Sequence, residues 1–212
     1  MENPIIIFGA KGLGKVALEI FKSNGVVIYG FLDDDKSLKD KEVDEVLVMS
    51  HTEDEAYLKI IGKKCEAFVA LDDNRIKKTL VKNLVDNYKT MPVNAVHAQA
   101  ILASTAVLGH GNLVAAGVVI NSFASVGNHC ILNTRAVIEY EATIEDYVQL
   151  GAGAIIGAGT IIAEGAFIGA GVNIVAGIKI GKNARVGAGS LVMQNVADGD
   201  TVFGVPAQKV KS

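Results

Sequence analysis

Residues 150–180 read LGAGAIIGAGTIIAEGAFIGAGVNIVAGIKI, and an aliphatic residue returns at every sixth position of this stretch. The same period runs from Val96 to Val192, where all seventeen positions spaced by six are Ile, Leu or Val, and Asp198 ends the series. An α-helix, whose period is 3.6 residues, cannot hold such positions on one face. A prism of short strands that turns a corner every six residues can, with three hexads in each coil. The repeat therefore predicts a parallel β-helix of nearly six coils.

The corners of this prism are expected at the third residue after each repeated aliphatic position. Gly occupies that place at 111, 117, 153, 159, 165, 171, 177 and 189, and Asn occupies it at 183 and 195. Both residue types adopt positive φ angles at low cost, as a tight corner requires. The fourth residue is small or apolar as well, and Cys130 fills one such slot, so we expect a buried structural thiol there.

Five consecutive corners break this rule. Phe123, His129, Arg135, Glu141 and Tyr147 are bulky or charged where glycine is otherwise usual. Departures from a local rule are typical of functional sites. Large side chains would equally suit a contact between subunits. Both interpretations stay open, and in a trimer both can hold.

Residues 1–92 follow a different pattern from residues 93–212, and strands alternate with helices in them. We predict the following elements: strands at Pro4–Phe8, Val26–Leu32 and Glu66–Leu71, and helices at Lys15–Ser23, after a capping box at Thr52–Glu55, and from Asp72 or Asp73 to Asn87. Such alternation indicates a parallel sheet. The sequence therefore predicts a small Rossmann-like α/β domain in front of the β-helix.

A glycine-rich turn, Gly9 to Gly14, follows the first predicted strand, and the second strand ends in the acidic triplet 33–35. Glycine lets the backbone approach a phosphate at a helix amino terminus, and an acid can accept a hydrogen bond from a sugar or base. The spacing G-x-x-G-x-G differs from the dinucleotide pattern G-x-G-x-x-G, and the domain has room for only half a dinucleotide fold. Bound NAD is therefore not expected, and a purely structural turn is the alternative.

Composition excludes several other classes. A net charge of −3 does not suit a nucleic-acid binder, whose basic face would be its first sign. The apolar run Ile5–Phe8 is too short for a signal peptide, and no stretch approaches the length of a membrane span. Cys65 and Cys130 form neither a metal-binding nor a disulfide pattern. We therefore expect a cytoplasmic protein with no nucleic-acid partner and no membrane insertion.

The two parts together resemble the bacterial family that contains the sialic acid O-acetyltransferases and the UDP-4-amino-sugar N-acetyltransferases. The resemblance rests on five segments: residues 8–12 (FGAKG), residues 31–35 (FLDDD), the hexad column, residues 204–207 (GVPA) and, most tellingly, residues 132–141 (LNTRAVIEYE). It implies a left-handed β-helix, a homotrimer and acetyl transfer from acetyl-CoA in surface-polysaccharide or glycan biosynthesis. No metal is expected.

The resemblance also implies where the ligands lie. The nucleotide sugar, expected to be a UDP-sugar, would lie on the front domain near Gly9, Ala10, Gly12, Asp33 and Asp34. Acetyl-CoA would lie in the groove between neighbouring β-helices, along Gln149, Gly151, Gly153, Gly171, Gly177, Gly189, Gly204 and Pro206. Bare corners would leave backbone groups free for the extended pantetheine arm.

The family pattern has a catalytic histidine where this chain has Tyr140, followed by an acid, here Glu141, and a second common histidine falls at Gln149. Histidine can remove a proton near pH 7, whereas an unperturbed tyrosine has a pKa of about 10. A neutral sugar amine attacks without prior deprotonation, so Glu141 could collect the proton late, whereas a hydroxyl needs a base during attack. The sequence thus favours an amine acceptor. Tyr140 and Glu141 are the candidate catalytic residues, and His129 of a neighbouring subunit is a third.

Two other functions are possible on the same β-helix. A catalytically silent homologue, a trimeric scaffold that keeps a sugar-nucleotide or CoA groove, would also explain Tyr140 and Gln149. A carbonic anhydrase on the same column would need three histidines to hold zinc. The column offers only His97, His110 and His129, without an evident convergent arrangement. Zinc catalysis is therefore not expected.

Overall fold

The computed structural model describes residues 3–210. The chain divides into two compact units, Met1–Ala98 and Gln99–Ser212, each with its own core. No helix in residues 3–210 has the length and apolar character needed to cross a membrane.

The first unit is an α/β domain, as predicted. The strands of its sheet are β1 (Ile5–Phe8), β2 (Ile28–Leu32), β3 (Glu42–Val43), β4 (Val46–Ser50) and β5 (Glu66–Val69), and its helices are α1 (Leu13–Ser23), α2 (Glu55–Leu58) and α3 (Asn74–Tyr88). The two-residue strand β6 (Ala95–Val96) is not part of this sheet and is the first strand of the hexad series. Five strands form one sheet in the order β3-β4-β2-β1-β5. The pairs made by β1, β2, β4 and β5 are parallel, while β3 runs antiparallel to β4.

Hydrophobic side chains on both faces hold this sheet between helices. All four residues of β1 are buried, as a central parallel strand covered on both faces requires. Ile6 and Phe8 belong to a buried cluster that includes Leu84 of α3. Phe21 of α1 meets Phe68 of β5 edge to face, with ring centroids 5.5 Å apart. Helices α1 and α3 thus bury the apolar side chains of the central strands.

Two local features differ from the prediction. The hairpin β3–β4 was missed because its turn residues, Asp44 and Glu45, adopt positive φ angles of 47° and 66° without glycine. The cap of α2 was misassigned to a capping box that begins at Thr52. Asp54 is the cap, because its carboxylate accepts the Ala56 N–H at 2.9 Å. The Thr52 side chain is directed elsewhere.

The second unit is the predicted left-handed parallel β-helix. Each repeated aliphatic residue from Val96 to Val192 is the second residue of a two-residue strand. Strands eighteen residues apart pair in parallel, so three hexads complete one coil. The first face contains β9 (Leu113–Val114), β12 (Ile131–Leu132), β15 (Gln149–Leu150), β18 (Phe167–Ile168), β21 (Arg185–Val186) and β23 (Thr201–Gly204).

The other two faces complete the prism. The second face contains β7 (Ile101–Leu102), β10 (Val119–Ile120), β13 (Val137–Ile138), β16 (Ile155–Ile156), β19 (Asn173–Ile174) and β22 (Leu191–Val192). The third face contains β8 (Val107–Leu108), β11 (Ser125–Val126), β14 (Thr143–Ile144), β17 (Ile161–Ile162) and β20 (Lys179–Ile180). A final strand, β24 (Ala207–Lys209), forms an antiparallel hairpin with β23.

The interior of the column is built from the repeated aliphatic residues. From Val114 to Val192 every one of them is buried, and Cys130 is buried among them as predicted. The first three positions are less covered: Val96 and Leu108 are half-buried, and Leu102 has 38% of its surface exposed. Leu102 lies on β7, the end strand of its sheet, so no further coil covers it.

Positive φ angles occur at the predicted corners, including the five bulky ones, whose values lie between 58° and 60°. Asn183 has a φ of 54°. Asn195 was expected to behave in the same way and does not. The hexad pattern ends there, and its side chain instead accepts the backbone N–H of Lys179 at 2.8 Å.

Candidate functional site

The glycine-rich turn of the first unit joins β1 to α1, and the start of the helix lies very close to the backbone of the turn. Gly9 has a φ of 99°, and a Cβ on Gly14 would lie only 1.9 Å from the Gly9 carbonyl oxygen. Helix α1 begins at Leu13 behind Gly12, which provides no side-chain cap. The backbone N–H groups of the first helical turn are therefore not covered by a capping side chain.

The two aspartates predicted to lie near the nucleotide hold the surrounding backbone. Asp33 accepts the Ala10 N–H at 2.7 Å and the Asp35 N–H at 2.8 Å. Asp34 accepts the N–H of Thr52 at 2.9 Å and its hydroxyl at 3.0 Å. These bonds tie the β1–α1 turn to the carboxyl ends of β2 and β4. Asp33 thus holds the turn, whereas Asp34 holds the segment that follows β4. Thr52 is buried and is a supporting residue that the sequence did not reveal.

A lysine lies in the same turn. The Lys11 ammonium forms an ion pair with the carboxylate of Asp35, and side-chain exposures are 63% and 34%. The hydrogen bond to Asp35 raises the pKa of Lys11, and the same bond, with those from Ser37, holds the pKa of Asp35 well below its usual range. Both residues were visible in the turn and the acidic triplet, but their pairing follows only from the folded chain.

The corners of the β-helix form three edges, each a vertical row of residues eighteen apart. The first edge, between the first and second faces, contains Gly117, Arg135, Gly153, Gly171 and Gly189. The second edge, between the second and third faces, contains Phe123, Glu141, Gly159 and Gly177. The third edge, between the third and first faces, contains Gly111, His129, Tyr147, Gly165 and Asn183.

The candidate catalytic residues lie on the second edge. Tyr140 is 56% exposed, and its carbonyl accepts the Gly159 N–H from the next coil at 3.0 Å. Glu141 follows with an exposed side chain and a φ of 60°. Glu139, which precedes Tyr140, accepts a hydrogen bond from the side-chain amide of Asn121 at 3.1 Å. A tyrosine and a carboxylate are thus presented side by side to solvent on a rigid corner.

The residues predicted to bind the donor fall into two groups. Gly153, Gly171 and Gly189 stack on the first edge, whereas Gly177 lies on the second edge above Glu141. Gly151 precedes Gly153 in the same coil. Within one chain the second face separates the two groups.

The remaining predicted donor residues lie close to the first edge. Gln149 stands on the outer surface of the first face, between Ile131 and Phe167. The hairpin that carries Gly204 and Pro206 is tied to the end of this edge, because the Gly204 N–H donates to the Ser190 hydroxyl at 3.1 Å. Ser190 directly follows Gly189, so the hairpin continues the row of bare corners.

His129 lies on the third edge, away from Tyr140 of the same chain, as predicted. Its backbone N–H donates to the His110 carbonyl at 2.7 Å, so the two histidines occupy adjacent coils. The residue is 4% exposed, and its ring stacks on Tyr147 with centroids 5.0 Å apart. Burial raises the pKa of Tyr147. Packing of this kind orients the imidazole within its own subunit.

Two clefts of the surface lie away from the candidate catalytic residues. A cleft of about 570 Å³ on the third face is lined by Ser125, Thr143, Glu145, Asp146 and Glu164, among others. Another, of about 780 Å³, lies beside α1 and β3. Neither includes the candidate catalytic residues. Across residues 3–210, His, Cys, Asp and Glu side chains form no group of three that could hold a metal ion.

Known proteins match both units. The sequence model of the PglD N-terminal domain matches residues 4–84, and that of the bacterial transferase hexapeptide (six repeats) matches residues 159–194. A histidine-to-alanine mutant of GDP-perosamine N-acetyltransferase from Caulobacter crescentus, crystallised with CoA and GDP-perosamine, superposes with a TM-score of 0.91. It is 30% identical to this chain, and the match covers 100% of this chain and 99% of that one.

Two more distant structures share the fold. The acetyltransferase domain of PglB from Neisseria gonorrhoeae, in complex with acetyl coenzyme A, has a TM-score of 0.89 at 24% identity, covering 99% of this chain and 100% of that one. WeeI from Acinetobacter baumannii has a TM-score of 0.86 at 22% identity, covering 98% and 99%. Together with the family matches and the 30% identical relative, they confirm the resemblance seen in the sequence. The chain belongs to the hexapeptide-repeat sugar acyltransferases, the family of the sialic acid O-acetyltransferases and UDP-4-amino-sugar N-acetyltransferases.

Proposed function

We propose that this protein transfers an acetyl group from acetyl-CoA to the amino group of a nucleotide-linked sugar. One observation carries the proposal: the 30% identity to GDP-perosamine N-acetyltransferase extends over the full length of both chains, front unit included. We assign sugar-nucleotide binding to residues 1–92 and acetyl transfer to residues 93–212. The reaction would serve surface-glycan biosynthesis in the cytoplasm, where we expect acetyl-CoA and nucleotide sugars to be available.

The distribution of candidate residues supports a homotrimer as the active species. Glu141 lies on the second edge of the column, whereas Gly153, Gly171 and Gly189 lie on the first. A donor that follows the first edge of one subunit would approach Glu141 of a neighbour if two columns packed side by side. The bare corners offer backbone groups to the pantetheine arm, and Gln149 and the 204–206 hairpin lie beside the same edge.

The chemistry at the second edge suits an amine acceptor. The neutral amino nitrogen attacks the thioester carbonyl carbon, a C–N bond forms, the C–S bond breaks, and CoA leaves as a thiolate. The nitrogen loses one proton, which Glu141 can collect and return to the thiolate. Tyr140 precedes Glu141 and is 56% exposed, so its hydroxyl can donate a hydrogen bond to the oxyanion or the sugar.

The Caulobacter relative binds its ligands with one of its histidines replaced. That enzyme holds both CoA and GDP-perosamine in the crystal when a histidine is replaced by alanine or by asparagine. This supports intact substrate sites in the present chain, in which we assign Tyr140 to the family histidine position. The relative uses a GDP-sugar, and the sequence resemblance suggested a UDP-sugar, so both nucleotides belong in the test.

The test is thiol release from acetyl-CoA with a panel of UDP- and GDP-linked 4-amino sugars. Wild type, Tyr140→His and Glu141→Gln are compared, and Glu164→Gln on the third face is the matched control. Turnover by wild type that falls on the order of 100-fold in Glu141→Gln supports the proposal. Activity in Tyr140→His alone would instead favour a silent homologue that keeps its grooves and has lost its base. Silence of both proteins with every sugar would refute the acetyltransferase assignment.

A further inference from the structure

The Lys11–Asp35 ion pair stands in the turn to which the nucleotide is assigned. We propose that Lys11 binds the diphosphate of the nucleotide sugar, and that Asp35 holds its ammonium in place until the substrate arrives. This inference rests on the proposed function and adds a substrate-binding residue to it. Lys11 follows Ala10, whose N–H is fixed by Asp33 at 2.7 Å, so the base of the lysine side chain has a defined position.

Local charge makes a cation necessary if an anion is to bind here. The acidic triplet places the carboxylates of Asp33, Asp34 and Asp35 at the carboxyl end of β2. Asp33 and Asp34 accept hydrogen bonds from backbone N–H groups and from the Thr52 hydroxyl. A diphosphate near this cluster would be repelled, and the Lys11 ammonium is the group in the turn itself that offsets the repulsion.

The ion pair is suited to exchange. Its side chains are 63% and 34% exposed, so water screens it and it contributes little stability. A diphosphate offers the ammonium more charge and more acceptor oxygens than one carboxylate does, and charge-assisted hydrogen bonds to phosphate are strong. The flexible lysine side chain can swing from Asp35 to the phosphates. The Asp35 side chain stays in place after Lys11 leaves it, because it also accepts the Ser37 N–H at 2.8 Å.

Binding of UDP, GDP and uridine to the full-length protein tests the proposal by calorimetry. Lys11→Met should weaken UDP and GDP binding about tenfold each, equally for both because a phosphate contact does not read the base. Uridine, which has no phosphate, should bind both proteins alike. Lys11→Arg should restore most of the affinity. Asp35→Asn should tighten UDP and GDP binding a few-fold, since it removes both the competing partner and one repelling charge.

Lys22→Met is the matched control, because Lys22 forms a similar exposed pair with Asp44 at the other end of α1. Its UDP and GDP affinities should equal those of wild type. Unchanged UDP affinity in Lys11→Met, or an equal loss for uridine, would overturn the role of Lys11 while leaving the acetyltransferase assignment intact. Wild type that binds no nucleotide at all would overturn both, because the turn would then not be a nucleotide site.

Discussion

Gly14 offers a sharp test of the turn that joins β1 to α1. It is the second residue of α1, and in a helix alanine is favoured over glycine by about 1 kcal/mol. Helix propensity alone therefore predicts that Gly14→Ala stabilises the protein. Sterics predict the opposite, because the new Cβ would lie 1.9 Å from the Gly9 carbonyl oxygen and 2.8 Å from its carbon.

The distances decide which effect is larger. Real Cβ atoms essentially never approach another heavy atom closer than 3.0 Å, so the helix and the turn must separate by about 1 Å. Overpacking typically costs about 1–3 kcal/mol, and a clash with backbone belongs at the upper end because no side chain can rotate away. Subtracting the gain in propensity leaves a net loss of about 2 kcal/mol, a factor of roughly 30 in the unfolding equilibrium. The displaced turn should also bind UDP and GDP more weakly.

Urea unfolding followed by circular dichroism at 222 nm measures this loss, since the helices of residues 3–210 all lie in the first unit. Gly25→Ala is the control at the other end of α1. It has open space around its Cβ and a φ of 74°, so it should lose only about 1 kcal/mol from backbone strain and keep nucleotide affinity. A Gly14→Ala protein as stable as wild type, or more so, would refute the steric argument and with it the close β1–α1 turn.

Two further predictions concern the column and the pH dependence of stability. Ile156→Ala should lower the free energy of unfolding by about 2–5 kcal/mol, because Ile156 is fully buried inside the column. Ile155→Ala, on the outer surface of the column and 42% exposed, should lower it clearly less. Equal losses in denaturant unfolding would contradict the assigned faces. The Ser50 hydroxyl and then the Ala56 N–H lower the pKa of Asp54, so its contribution is complete above the ordinary value near 4 and disappears as pH falls through the lower folded value. The melting-temperature gap between wild type and Asp54→Asn should therefore shrink below about pH 4, and a constant gap would argue against the two hydrogen bonds.

The column was predictable because its sequence repeats one physical constraint at every coil. An inward aliphatic residue and a left-handed corner recur every six residues, so each strand from β6 to β22 was located by counting. The hairpin β3–β4 was not predictable in this way. Its turn has no glycine to mark it, and Asp44 and Glu45 adopt a strained conformation that only tertiary contacts, such as the Lys22–Asp44 ion pair, support.

The site was predictable in its composition and not in its arrangement. The glycine-rich turn and the acidic triplet were visible, but the sequence did not show that Asp33 would hold Ala10 or that Thr52, eighteen residues beyond Asp34, would hold that carboxylate. Hydrogen bonds between the ends of neighbouring strands depend on strand order, which short motifs do not contain. The same limit applies to Lys11 and Asp35.

The five bulky corners are spread over all three edges of the column. Because three hexads complete a coil, five consecutive hexads distribute these residues over all three edges: Arg135 on the first, Phe123 and Glu141 on the second, and His129 and Tyr147 on the third. They form a belt about 6 Å tall at the usual strand spacing. Left-handed backbone conformation at each of these residues costs on the order of 1 kcal/mol of folding free energy, which glycine would avoid. A single groove would need such residues on one edge only, whereas a threefold assembly of columns would use more than one edge of every subunit at the same height. The belt therefore fits the proposed trimer with chemistry at its subunit boundaries better than it fits a site confined to one chain.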